Sequence, residues 1–148
     1  MITADDIAKL ARELGGPMAN EVRIRGSISR AYYAAYHYCD QAANSWCDPL
    51  PNAVKEEKRS HEQLYHRLEN FSKNKAIEKD LKLMAAEAKN LRSLRVRADY
   101  YLNDNFDQKT IIRSLSHMSQ VKSCLDLITT TTSAVAATEL IASKKSDL

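Results

Sequence analysis

The sequence predicts an all-α protein, a bundle of about five helices in up-down packing. Three observations carry that prediction. Only three glycines and three prolines interrupt the chain, so turns are few and the elements between them are long. Apolar residues recur at three- and four-residue spacing instead of alternating. No glycine-rich phosphate loop, internal repeat or low-complexity block points to a nucleotide-binding fold with a sheet.

The elements follow in order. Thr3 caps a first helix in which Ile7, Leu10, Ala11 and Leu14 form the apolar face, and Gly15, Gly16 and Pro17 end it. A long central helix runs from about Ala19 to about Trp46, proline-free, with Ile28, Tyr32, Ala35, Cys39 and Ala42 as its stripe. The two prolines within Cys47–Asn52 impose a loop. Ser60 with Gln63 reads as a capping box opening a third helix, which carries Leu64, Leu68 and Phe71. A fourth runs from about Ala76 to about Ala98 on Ile77, Leu81, Met84, Ala88 and Leu91. After a loop at Asn103–Asn105, a fifth carries Ile111, Ile112, Leu115, Met118, Val121, Leu125 and Ile128. Residues 1–128 are thus expected to form the bundle, and residues 129–148 a frayed helix or a tail.

At 148 residues the chain can bury one apolar core without disulfides or metal. Its net charge of +3, from 22 basic and 19 acidic residues, is too balanced for nucleic-acid binding by bulk electrostatics, so any basic site must be local. Cys39, Cys47 and Cys124 are odd in number and form no CxxC pair, which suggests a reducing compartment. No apolar run approaches the length of a membrane span and the start at Met1 is not a secretory signal. The expectation is a cytoplasmic protein with no membrane partner.

The main functional clue lies on the central helix. At about 100° per residue, its apolar stripe leaves Gly26, Arg30, Tyr33, His37 and Asn44 on roughly the opposite side. Such a set needs a partner of its own: solvent, a second subunit or a ligand. Arg30 offers a fork of donors for phosphate oxygens, His37 exchanges a proton near neutral pH, and Tyr33 donates a hydrogen bond or stacks a base. Together they suit cleavage of RNA without metal or other cofactor, the histidine moving a proton and the arginine stabilising the extra negative charge on phosphorus. A twofold dimer would duplicate the set. The competing reading makes the same stripe a dimer or partner interface.

A second cluster closes the fourth helix, where Arg92, Arg95 and Arg97 precede Asp99 and Tyr100. Basic side chains also favour a helix C-terminus, and Asp99 can pair with one of them. If this end docks beside Arg30 and His37, several positive groups converge on one groove. His61 and His66 are five positions apart and share no metal-ligand face, so no zinc site is expected. His61 is expected to hydrogen-bond across the bundle, His66 to lie on the surface, His117 to be ordinary, and Cys39 to be a core residue.

Three segments occur in an order that resembles the HEPN family: SRAYYAAYH from Ser29 to His37, SHEQL from Ser60, and RVRADY from Arg95 to Tyr100. The resemblance spans most of residues 1–128. It implies a helical bundle that is usually dimeric. Many HEPN proteins are metal-independent ribonucleases of prokaryotic toxin–antitoxin or defence systems, with an arginine and a histidine a few residues apart at a dimeric cleft. Others accompany a minimal nucleotidyltransferase. For this chain the resemblance implies contact with RNA or a nucleotide, with Arg30 and His37 as the catalytic pair and Tyr33, Arg95, Arg97, Asp99 and Tyr100 binding substrate. The alternative is a non-catalytic dimeric module partnering a nucleotidyltransferase. Arg30 and His37, with six residues between them, lie on the second helix, whereas the family's ribonuclease motif usually follows a later one; there this chain has RVRADY and no histidine.

Overall fold

In the computed structural model, which describes residues 1–147, those residues form six α-helices and no strand. They are α1 (Ala4–Leu14), α2 (Glu21–Trp46), α3 (Asn52–Glu57), α4 (Ser60–Asn70), α5 (Glu78–Tyr100) and α6 (Gln108–Ser146), with a single 3-10 turn, Lys75–Ile77, leading into α5. The all-α prediction therefore holds, and α3 is an addition to it. That short helix follows Pro51 and buries none of its residues, so it has no apolar periodicity to read.

α2 is the centre of the bundle and packs against α1, α4, α5 and α6. Small side chains make this possible: Ala31, Ala34, Ala35, Ala42 and Ala43 of α2 are buried, as are Ala8 and Ala11 of α1 and Ala85 and Ala88 of α5. Without bulk at the contacts, helix axes approach closely. Larger groups fill the spaces between, chiefly Tyr32, Tyr65, Leu68, Leu81, Met84, Leu91, Met118 and Ile128.

Close approach at alanines also explains two misplaced apolar residues. The line of contact on α1 runs through Ala8 and Ala11, which leaves Leu10 exposed at the rim and Leu14 half-buried. On α6, Ile111 is buried and its neighbour Ile112 is exposed, because adjacent helical positions point about 100° apart. Phe71 lies one residue past α4, half-buried, and its carbonyl accepts from the Asp48 N–H at 2.8 Å.

The caps are partly those expected. Thr3 caps α1, its Oγ1 accepting from the Asp6 N–H while Asp6 accepts from the Thr3 N–H. Asn20 caps α2, whose regular part begins at Glu21 and not at Ala19. At α4 the expected box of Ser60 and Gln63 is displaced by one residue: Ser60 is already helical, and Glu62 accepts from the Arg59 N–H at 3.3 Å. Gln63 instead donates to the carbonyls of Lys55 and Lys58, tying α3 to α4.

α6 does not stop at Ile128. Thr129, Thr130 and Thr132 donate their hydroxyls to carbonyls of the preceding turn, and the helix continues to Ser146. Past Ile128 none of its residues is buried. Residues 129–146 of the expected tail are thus a continuous extension of the last helix, with Asp147 at its cap; residue 148 lies outside the described residues. No helix among the described residues is long and apolar enough to cross a membrane.

Candidate functional site

Arg95, one turn before the end of α5, organises the site. Its Nη2 donates to the Tyr33 hydroxyl at 3.1 Å, and its Nε lies 2.7 Å from Asp99 Oδ2. The Nε–H is not aligned with that oxygen, so the contact is an ion pair without a well-formed hydrogen bond. Asp99 is itself within 3.4 Å of the Ser29 hydroxyl of α2, which donates to it. The guanidinium also lies over three rings, at 5.8 Å from the centroid of Tyr32, 5.4 Å from Tyr33 and 5.5 Å from Tyr100. With 16% of its side chain exposed, Arg95 is a fixed positive charge at the seam of α2 and α5.

Arg30 joins from α2. Its guanidinium lies 5.4 Å from the same Tyr33 ring, exposed and with no ion pair among the described residues. Tyr33 therefore carries two arginines, one held by Asp99 and one open to solvent. The stripe read from α2 is brought together here only in part. Gly26 faces Leu14 of α1, and Asn44 accepts from Arg67 Nη1 at 3.0 Å in a junction where Arg67 also binds the carbonyls of Cys47 and Asp48. His37 is exposed, with no hydrogen-bond partner among the described residues, and its ring stands edge-on to Tyr36 at 5.6 Å. Seven positions separate Arg30 from His37, roughly 10 Å along the axis by the helical rise.

Arg97 faces elsewhere. Two residues along a helix turn the side chain about 200° away, and Arg97 pairs with Asp104 at 2.9 Å and stacks over Phe106. Arg92 lies one turn before Arg95, half-buried and with no ion pair among the described residues. It lines a shallow cavity of about 290 Å³ with Lys58, Tyr65, His66 and Lys89, alongside Glu62 and Glu69. Glu69 is already paired with Lys89.

A buried hydrogen-bond chain backs the cluster. The Tyr32 hydroxyl lies 2.8 Å from that of Tyr65 and 2.6 Å from Nδ1 of His61, joining α2 to α4. Its polarity follows from satisfaction. Tyr65 is buried and Tyr32 is its sole hydroxyl partner among the described residues, so a Tyr32 proton pointing at Tyr65 would leave the Tyr65 O–H without an acceptor. Tyr65 therefore donates to Tyr32, Tyr32 donates to His61 Nδ1, and the ring proton of His61 resides on Nε2. Desolvation, reinforced by the charges of Arg92 and Arg95, holds the pKa of His61 below the usual histidine value.

A pH dependence follows. The unfolded chain binds that proton near pH 6.5, the folded chain only at lower pH, so protonation favours unfolding. Stability is full above about pH 6.5 and declines as pH falls from there toward the folded value. Urea melts between about pH 7.5 and pH 5 should show this decline in the wild type and a flatter profile in His61→Gln. Equal slopes would remove His61 from the titration.

The remaining candidates serve the fold. His66 is half-buried, packs on Phe71 and approaches Asn70, while His117 pairs with Glu87 between α6 and α5. Among the described residues no group of histidine, cysteine or acidic side chains is placed to hold a metal ion. Burial raises the thiols of Cys39, Cys47 and Cys124, the last two to about 11, so all three stay protonated core groups. Comparison with protein-family models, curated proteins and solved structures gave no match to this chain.

Proposed function

We propose that this chain is a HEPN-like, RNA-binding helical module whose binding surface is the seam of α2, α4 and α5. One observation carries the reading. The three segments on which the resemblance rests are far apart in sequence and meet at this seam: Tyr32 of the first bonds His61 of the second, Tyr33 accepts from Arg95 of the third, and Ser29 reaches Asp99. The resulting surface pairs guanidinium groups with tyrosine rings. That combination binds a phosphate backbone electrostatically and offers aromatic faces to unstacked bases. The setting in a prokaryotic toxin–antitoxin or defence system, and a nucleotidyltransferase partner, rest on the resemblance alone.

Arg30 and His37 are both exposed on one side of α2, which supports metal-independent cleavage as the activity of this surface. The test is binding and cleavage of a labelled single-stranded RNA in excess EDTA. Binding should weaken steeply with salt, and Arg30→Ala should reduce the slope of log K against log salt by about one phosphate contact. No binding at low salt would overturn the reading. EDTA-resistant cleavage lost in both Arg30→Ala and His37→Ala would establish the ribonuclease; cleavage retained in His37→Ala would sink its catalytic assignment.

The consecutive exposure of Tyr100, Tyr101 and Leu102 beside the seam favours a second reading, a protein-interaction module, since aromatic side chains are enriched at interfaces. Light scattering separates the two. An interface predicts that Tyr101→Ala with Leu102→Ser lowers the oligomeric mass and leaves RNA binding unchanged.

A further inference from the structure

We propose that His61 is a phosphate-binding residue, presenting its Nε2–H as a fixed neutral donor to a phosphodiester oxygen while Arg92 and Arg95 supply the charge. The inference deepens the RNA-binding reading and rests on it. It adds His61 of α4, bonded to the tyrosine whose ring Arg95 covers, to the exposed His37 of α2.

The side chain of Tyr32 links His61 to Arg95. The Arg95 guanidinium lies over the Tyr32 ring, 5.8 Å from its centroid, and the His61 ring is bonded at the hydroxyl end of the same side chain, with 5.7 Å between ring centroids. The second wall is Tyr36, whose ring is 4.9 Å from that of His61. Held between two tyrosines and bonded through Nδ1, the imidazole is fixed in position and in tautomer. Nε2, across the ring from the bond to Tyr32, has no partner among the described residues.

The buried chain then determines what that nitrogen can do. For Nε2 to act as a base, the ring proton must move to Nδ1, Tyr32 must turn its own proton to Tyr65, and the Tyr65 hydroxyl must lose its acceptor inside the core. An unmade hydrogen bond at a buried group is costly, so the donor form is the resting one. A neutral donor beside two guanidinium groups suits a singly charged phosphodiester: the arginines neutralise the charge and the imidazole fixes the orientation. His61 packs against Tyr32 and Tyr36 from α2 and lies within the field of Arg92 and Arg95 of α5, while Glu62, next to it on α4, is engaged with the Arg59 N–H.

The test has two parts. Nitrogen–proton correlation spectra of the wild-type protein at about pH 7.5 report the tautomer of each histidine, and His61 should give the Nε2–H pattern; an Nδ1–H pattern overturns the proposal. Anisotropy titrations with a labelled single-stranded RNA then compare the wild type with His61→Ala and His61→Gln, each checked for helicity and melting. Loss of one charge-assisted hydrogen bond should weaken His61→Ala by about ten- to a hundredfold. His61→Gln, whose amide N–H occupies a place near that of Nε2–H, should recover most of it. Unchanged affinity in His61→Ala overturns the role of His61 and leaves the RNA reading intact; absence of binding by the wild type overturns both.

Discussion

Replacing Arg25 with alanine should lower the stability of the fold by about 2–4 kcal/mol, with little change in the length of α2 itself. The Arg25 guanidinium donates to the carbonyls of Ala98, Tyr101, Leu102 and Asp104 at 2.6–3.2 Å, and to that of Arg97 at 3.5 Å. The carbonyls of Arg97 and Tyr101 also accept the N–H groups of Tyr101 and Asp104, whereas those of Ala98, Leu102 and Asp104, at the C-terminus of α5 and in the turn that follows, rely on the guanidinium. Glu21, one turn back on α2, and the ring of Phe106 hold the guanidinium in place. With 13% of the side chain exposed, its removal leaves several carbonyls short of a donor that water reaches poorly. Arg25→Lys should restore only part of the loss, since a compact ammonium cannot span them. Urea denaturation checks both; an alanine variant within about 0.5 kcal/mol of wild type would mean that solvent replaces the guanidinium.

Gly15→Ala is the second large effect expected, a loss of about 1–3 kcal/mol from overpacking. The cause is space, not conformation, because the backbone at Gly15 has an ordinary negative φ of −86°. A Cβ there would lie 2.6 Å from Ser27 Oγ and 2.7 Å from Ile111 Cγ2, both buried. Ser27 cannot retreat cheaply: its hydroxyl donates to the Ala11 carbonyl at 2.7 Å. Gly26→Ala is the control. Its Cβ would meet Leu14 Cδ1 at 3.5 Å, ordinary contact, and alanine in the middle of a helix is favoured by about 0.5–1 kcal/mol. The pair of variants should therefore move the urea midpoint in opposite directions; equal midpoints would mean that the crevice between α1, α2 and α6 yields to an added methyl group.

How much of this was legible depends on whether a feature is written along one helix or between two. The existence of the long helices and the facing of Arg30, Tyr33 and His37 are properties of a single periodic segment, and periodicity displays them. Arg95 and Arg97 could also have been separated on that basis, since alternate helical positions cannot share a side. The Tyr65–Tyr32–His61 chain was only partly foreseeable: a bond from His61 across the bundle was expected, but its partner was not. Arg25 left no local trace at all. Its function exists because the end of α5 and its following turn arrive beside the first turns of α2, and nothing near Arg25 in sequence encodes that arrival.

The central position of α2 has a consequence for motion. A helix enclosed by α1, α4, α5 and α6 cannot expose its backbone unless most of its neighbours let go, whereas the part of α6 beyond Ile128 opens by fraying from one end. In hydrogen–deuterium exchange, amides in the middle of α2 would report the free energy of opening the whole molecule. Those of residues 133–146 would exchange orders of magnitude sooner, on the timescale of a solitary helix.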